Sequence, residues 1–573
     1  MIFSVWAPRA KTVELVTGER RVALESAAGG YWRVELDAEA VAGGYKYSLD
    51  GGNPLPDPRS RWQPDGVHGA SRVIEAGALP TPRAFQQKPL SQAVIYEMHI
   101  GTFTPAGTYA AAEERLPHLE RLGITHLEVM PLANFPGHHG WGYDGVDLYA
   151  PLPAYGSPRD LLRFVEACHR HGIAVLLDVV YNHLGPDGNY LGSFGPYFTD
   201  RVHTAWGEAI NYDGASSDEV RRFFIDNALM WLGVYGFDGL RLDAVHAIFC
   251  FEATHVLEEL ALAVKKLGTE QGKSYVLIAE SDLNDPRLVL PTSRGGYALD
   301  AQWCDDFHHA IHRYFTREMA GYYGDFHGLP DIATAIRAGY VYQGQYSAFR
   351  ERRHGRPPRG VGADQLVVFS QNHDQIGNRA NGERLSALVG FDQLKAIAAL
   401  TLLSPFVPLL FQGEEWAAST PFLYFTDHQD PQLGTLVQEG RAREFASFEW
   451  AGEVPNPQAR ETFERSKLDW SELERAPHRE ILDWYRRLIE LRAARAEQKG
   501  ASKANVTLDE SREWLRFEHA GLLCLFNLSS ARQPIPLTAG RWELLLESHA
   551  MQTGTRSQED VPAHGTKVFR VLP

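Results

Sequence analysis

The chain has 573 residues, and at about 150 residues per domain this length predicts roughly three or four domains. Its 44% hydrophobic and 22% charged residues exclude a largely disordered chain, and 52 glycines and 33 prolines without a short period exclude a fibrous one. Fifty-six basic against 72 acidic side chains leave a formal charge of −16, which argues against nucleic acid or an anionic membrane as partner and suits a neutral ligand.

The N-terminus reads Met-Ile-Phe-Ser-Val-Trp6 and lacks the basic-then-apolar pattern of a secretory leader. Cys168, Cys250, Cys304 and Cys524 form no CxxC pair, so neither a disulfide framework nor a zinc site is expected, and a cytoplasmic location is. The most apolar stretch, Ala396 to Phe411, is broken by Pro405 and Pro408 and is too short to span a bilayer.

The first 88 residues predict an immunoglobulin-like β-sandwich resembling a carbohydrate-binding module. Its strands are Phe3–Trp6, Val13–Val16, Trp32–Leu36 and Tyr45–Leu49, separated by paired glycines. Trp32 is expected to pack in its core. From residue 89 to 498, short apolar runs alternate with helical ones. Strands are predicted at Val94–His99, His126–Pro131, Ala174–Val180, Gly239–Val245, Tyr275–Glu280, Ala298–Trp303, Leu366–Ser370 and Phe406–Phe411. Helices are predicted over Tyr109–Leu122, from Pro158 with Ser157 as N-cap, over Asp218–Tyr235, Phe251–Leu267 and Arg479–Arg495. Eight strands with intervening helices make the fold class α/β, and a (β/α)8 TIM barrel is the simplest closed solution. Residues 499–573 turn β again, with strands at Trp514–Phe517, Gly521–Phe526 and Trp542–Leu546, and predict a small antiparallel C-terminal β domain.

In such a barrel the chemistry belongs where the strands end. Four apolar strands end in or near a carboxylate: Asp178, Asp243, Glu280 and Asp374. Any one could be a solvated acid, but four, three with a nearby His or Arg, point to glycosidic bond cleavage. That reaction needs one carboxylic acid to protonate the leaving oxygen and a second carboxylate as nucleophile or base. Arg241, two residues before Asp243, shares its face of the strand and would keep it ionised. Glu280 ends an apolar run, where burial would keep it protonated.

These segments resemble, in order, the signature blocks of the α-amylase superfamily of glycoside hydrolases. Asp178-Val-Val-Tyr-Asn-His183, Gly236 to His246, Ala279-Glu280 and Asn372-His373-Asp374 carry the match. The resemblance implies that Asp243 is the nucleophile, Glu280 the general acid/base and Asp374 the carboxylate that holds and distorts the sugar at subsite −1. It makes Arg241, His183 and His373 supporting ligands, and Tyr143 in Trp141-Gly-Tyr143 the platform beneath that sugar. Gln371 to Arg379, Gly413 to Asp427, Phe135 to Gly145 and Glu280 to Asp285 narrow the likeness to the maltooligosyltrehalose trehalohydrolases. That family implies hydrolysis of the α-1,4 bond next to the terminal trehalose of maltooligosyltrehalose. It also implies retention of configuration, no cofactor or metal, a monomer, and a maltooligosyltrehalose synthase as pathway partner. Asp282, Arg379 and Glu415 follow strand ends and are expected near the trehalose-accepting subsites.

Two other functions compete with this reading: a glucan branching or debranching enzyme, and an inactive glycan-binding relative. His308, His309 and His312 fit a helix better than a metal site, because no His-Glu-x-x-His pattern accompanies them. Cys168 to His171 reads as a helix end, and Arg350 to Gly360 as a mobile surface loop at the cleft rim.

Overall fold

The computed structural model describes residues 1–74, 79–204, 206–447, 454–496, 504–538, 540–549 and 558–572. Eight parallel strands close into a barrel: β1 (Ile95–Met98), β2 (His126–Val129), β3 (Ala174–Val179), β4 (Gly239–Leu242), β5 (Val276–Ala279), β6 (Ala301–Trp303), β7 (Leu366–Val368) and β8 (Val407–Phe411). Each pairs with its neighbours in chain order, and β8 closes the ring against β1 with Leu409 opposite Ile95. All eight lie at the positions expected from their apolar runs. All six residues of β3 are buried, as a strand covered on both faces requires.

Alternation with period two decides what faces the barrel axis. Ile95, Leu176, Val276, Ile278, Ala301, Trp303, Val367, Val407 and Leu409 pack into one interior cluster. Leu127, Val175, Leu177, Leu240, Leu242 and Leu277 instead join the large outer core beneath the helices. Gly239 opens β4 because a Cβ there would lie 2.3 Å from the carbonyl oxygen of Val276.

The helix Pro158–Arg170 starts as predicted, with Ser157 and Asp160 forming a reciprocal capping box. The helix predicted over Tyr109–Leu122 is two helices, Tyr109–Glu113 and Leu116–Leu122. Pro117 accounts for the break: it lacks an N–H, and its ring would clash with the carbonyl of residue 113. The helix expected from Phe251 begins at Val256, where the ring of His255 caps it by accepting the N–H of Leu257.

The N-terminal region forms two three-stranded antiparallel sheets. Ile2–Trp6, Tyr31–Glu35 and Glu25–Ser26 make one, and Val13–Thr17, Arg20–Ala23 and Lys46–Leu49 the other. Trp32 packs against the core and donates its indole N–H to Ala7. The C-terminal region holds a five-stranded antiparallel sheet in the order Asn505–Asp509, Trp514–His519, Leu522–Asn527, Thr566–Leu572 and Arg541–Glu547. The boundary expected between residues 498 and 499 lies outside the described residues.

The helix His478–Ala496 sends two arginines inward. Buried Arg492 donates to the carbonyls of Leu402, Ser404 and Phe406, and buried Arg495 to those of Leu403 and Ser404. Together they satisfy the orphan carbonyls at the end of the helix Phe391–Leu403 and fasten it beside β8.

Candidate active site

The same alternation that builds the barrel interior delivers the acids. Counting by twos from Leu176 reaches Asp178, from Gly239 reaches Arg241 and then Asp243, and from Ile278 reaches Glu280. Arg241 stands at the centre. Its Nη1 donates to both oxygens of Asp178 at 2.8 Å and to Asp243 Oδ1 at 2.8 Å, and its Nη2 lies 3.8 Å from Glu280 Oε2. The guanidinium also sits 4.2 Å over the ring of Trp303 from β6. Asn182 donates to Asp243 Oδ2 at 2.8 Å, and Glu280 Oε2 accepts the backbone N–H of Ala244 at 2.5 Å.

The two key carboxyls are pushed in opposite directions. Burial works to raise the pKa of Asp243, but Arg241, His183 and Asn182 overcome it and hold it below the ordinary aspartate value. Burial also dominates at Glu280; Arg241 opposes it only from 3.8 Å, while the negative charges of Asp243, Asp305 and Asp374 reinforce it. Glu280 therefore lies well above the ordinary glutamate value. One ionised and one protonated carboxyl astride a single guanidinium is the acid–base pairing that glycoside cleavage needs.

Around this pair opens a cleft of about 630 Å³ at the C-terminal end of the barrel, lined among others by Trp141, Tyr143, His183, His373 and Asp374. Trp141 donates its indole N–H to Leu423 and stacks on Phe422. Gly377 makes room for it, since a Cβ there would lie 2.0 Å from the indole. Tyr143 stacks on His373 and donates its hydroxyl to Asp178. Asp374 is exposed to the cleft and accepts a hydrogen bond from Asn378 at 2.7 Å. A second cavity of about 620 Å³ lies near the N-terminal ends of β5 to β7, but its Gln87 and Gln365 are spent on backbone groups.

A family model described as the alpha amylase catalytic domain matches residues 81–194, and one for a domain of unknown function (DUF3459) matches residues 499–568. A malto-oligosyltrehalose trehalohydrolase from Rhizobium sp. (strain M-11) is 45% identical, over 99% of this chain and 97% of its own. Another from Arthrobacter ramosus is 49% identical over 91% of each chain. The chain belongs to the malto-oligosyltrehalose trehalohydrolase family. Among solved structures, a provisional alpha amylase of Salmonella typhimurium matches with a TM-score of 0.90 at 37% identity, covering 99% of this chain and 97% of that one.

Within this trehalohydrolase-family chain, Asp243, Glu280, Asp374, Arg241, His183, His373, Tyr143 and Trp141 all line the cleft. The three residues expected at the trehalose-accepting end fare differently. Asp282 is 38% exposed and pairs with Arg350 at 3.0 Å. Arg379 is bound to Glu318 by two 2.8 Å hydrogen bonds. Glu415 is corrected: it is fully buried on the outer side of β1, where Tyr96 and His118 hold it. Gly413, at φ +82°, turns the chain after β8 and swings Glu415 away from the cleft.

Some residues at the site went unremarked in the sequence. Trp206 is 51% exposed and stacks on His183 with centroids 4.4 Å apart. Asp305 opens the helix after β6, and burial together with Asp282 and Asp374 raises its pKa to about 7. Glu97 of β1 lies beneath His373. The segment expected as a mobile rim loop, Arg350 to Gly360, begins inside a ribbon, Tyr346–Ser347 against Arg352–Arg353, whose connection brings Arg350 to Asp282. His308, His309 and His312 are buried in the helix Asp305–Thr316, with His308 bonded to Tyr323 and His312 to Glu318.

Proposed function

We propose that this protein hydrolyses the α-1,4-glucosidic bond adjacent to the terminal trehalose of maltooligosyltrehalose and releases free trehalose with retention of configuration. The observation that carries the mechanism is the opposed ionisation of Asp243 and Glu280 about Arg241. Kinship over nearly the full chain supports the choice of substrate.

In the proposed cycle, Asp243 attacks the anomeric carbon on the glucan side of the scissile bond. Glu280 protonates the departing trehalose oxygen. Glu280, now ionised, takes a proton from water, which attacks the covalent glycosyl–Asp243 intermediate and frees the glucan. Asp374, facing the cleft, holds the hydroxyls of the −1 sugar, with Tyr143 and Trp141 as its apolar bed. Two carboxyls suffice for this chemistry, so it needs no cofactor.

The proposal places the enzyme in the cytoplasm as a monomer. Its four cysteines are free thiols, and one chain supplies the whole set of acids. Among the described residues, no helix is long and apolar enough to cross a membrane. The trehalose-capped substrate must be built by a maltooligosyltrehalose synthase, which is the proposed pathway partner.

Incubation with maltopentaosyltrehalose tests the reading. Free trehalose and maltopentaose are expected, the latter first appearing as the α-anomer by NMR. Branched product from amylose with little trehalose, or a β-anomer, would overturn it.

A further inference from the structure

Beneath the acids runs a chain of hydrogen bonds that the reaction itself does not use. Glu97 faces the barrel interior from β1. Its Oε2 accepts the backbone N–H of His373 at 3.0 Å, and its Oε1 meets the Nδ1 of the same residue. The other ring nitrogen, Nε2, lies 2.8 Å from the Tyr143 hydroxyl, which in turn lies 2.7 Å from Asp178 Oδ2. Glu97 and His373 are buried, and Tyr143 is partly so.

Counting protons along this chain leaves one proton to be placed between Glu97 and His373. Asp178 accepts from Arg241 Nη1 at both oxygens; burial pushes its pKa up to about 6, and above that pH it is a carboxylate and an acceptor only. Tyr143 has a single hydroxyl proton, which must therefore point at Asp178. Its oxygen can then only accept from His373, so Nε2 carries a proton. Nδ1 meets Glu97 Oε1, and the raised pKa of His373 puts the proton between them on the ring. The ring is an imidazolium.

We propose that Glu97 is a positioning residue for the hydrolysis: its carboxylate fixes His373 as a donor at both ring nitrogens and thereby commits the Tyr143 proton to Asp178. The proposal rests on the glycosidase reading above. Its consequence reaches the nucleophile through Arg241. With its own charge satisfied by Tyr143, Asp178 leaves the guanidinium free to lean on Asp243. Without Glu97, the ring is neutral, Tyr143 turns its proton to Nε2, and Asp178 draws Arg241 away.

The groups facing His373 divide in sign, and the acids prevail. Burial works against the charged ring, as does Arg241 from β4, while the nearby His99 beyond β1 is held neutral with a pKa lowered to about 3. Glu97 and Asp374 more than offset them, and the His373 pKa is raised. Glu128, opposite Glu97 on β2, is buried and held well above the ordinary glutamate value, so it adds no competing charge.

The test is E97Q beside E97D, assayed from pH 4 to 9. For E97Q the expected result is a kcat lower by about 10- to 100-fold with KM nearly unchanged. The alkaline limb of kcat/KM, set in the wild type by Glu280, should move down by at least about one pH unit, because His373 without Glu97 loses its proton before Glu280 does. E97D, which keeps the charge, should retain the wild-type limb. An E97Q profile that superimposes on the wild type would overturn the proposal. Neutron diffraction from the wild-type protein at about pH 7, above the Asp178 pKa of about 6, decides it without any variant: deuterons on both nitrogens of His373 are expected, and one alone would overturn it. This readout is independent of substrate. A wild-type enzyme that released no trehalose would sink the substrate reading and leave the fate of Glu97 to the diffraction result.

Discussion

Glu280 and Ala244 are joined by a 2.5 Å hydrogen bond from the backbone N–H of Ala244 to the Glu280 carboxyl. The acid just after β5 is thereby pinned to the residue that follows Asp243, just after β4. Ala244 adopts φ +38° to make that contact, a backbone conformation that costs an alanine about 1–3 kcal/mol. The spacing of the two carboxyls is thus set by main chain as well as by Arg241.

The first prediction concerns pH. Activity requires Asp243 ionised and Glu280 protonated. Asp243 is held below its ordinary value, so the acid limb of kcat/KM should lie below about pH 3.9. Glu280 is held well above its ordinary value, so the alkaline limb should lie far above pH 4.3. Glu280→Gln should lower kcat by about 10²- to 10⁴-fold, with little change in substrate binding measured by calorimetry. An E280Q enzyme of wild-type activity would remove Glu280 from its role.

Specificity for the trehalose cap is predicted to depend on the Asp282–Arg350 pair. Asp282 lies two residues beyond Glu280, and Arg350 reaches it from the connection of the ribbon. Asp282→Ala and Arg350→Ala should each raise KM for maltopentaosyltrehalose while leaving kcat/KM for plain maltoheptaose within about threefold. Equal losses on both substrates would show that the pair does not read the cap.

Stability is predicted to depend on Asp238, at the entry to β4. Its carboxyl is fully buried and meets His169 at 2.8 Å, Lys273 at 2.9 Å and the N–H of Val175 at 2.8 Å. Burial pushes its pKa up, but His169 and Lys273 prevail and depress it. A depressed carboxyl stabilises fully above its unfolded value of about 3.9 and loses that contribution as pH falls through the lower folded value. Asp238→Asn should cost about 3–5 kcal/mol at pH 6 by leaving Lys273 and His169 without their buried carboxylate partner. The gap in Tm between variant and wild type should close below about pH 3.9.

A separate loss is predicted for Arg492→Met. It leaves the carbonyls of Leu402, Ser404 and Phe406 without their donor, and each orphan costs about 1–3 kcal/mol, partly offset by the removal of a buried charge. Thermal melts should show a lower Tm, while kcat/KM at 25 °C stays at the wild-type value. A lower kcat/KM in the folded variant would mean that this helix junction reaches the active site.

The fold was legible because the barrel strands are buried on both faces and read as apolar runs whatever their surroundings. Asp178, Asp243 and Glu280 were legible for the same reason, each being a charge that interrupts or ends such a run. Helix ends were read less well where they depend on one side chain, as at Pro117 and His255. Glu415 was misplaced because proximity to a strand end does not say which way the next turn swings. Glu97 escaped notice because one acid within β1 carries no mark of its partner, and His373 lies far off in sequence. Trp206 and Arg350 reach the site from long loops, where no periodicity predicts a direction.

The pairing of Ile95 on β1 with Leu409 on β8 bears on how the protein is made. During synthesis the opening strand emerges long before the one that completes its second row of hydrogen bonds. Until Val407–Phe411 leaves the ribosome, the sheet has two raw edges and Arg241 has no finished wall around it. A nascent chain halted before Val407 should therefore be sticky and protease-sensitive, and protection of the acids from solvent should arrive late and all at once.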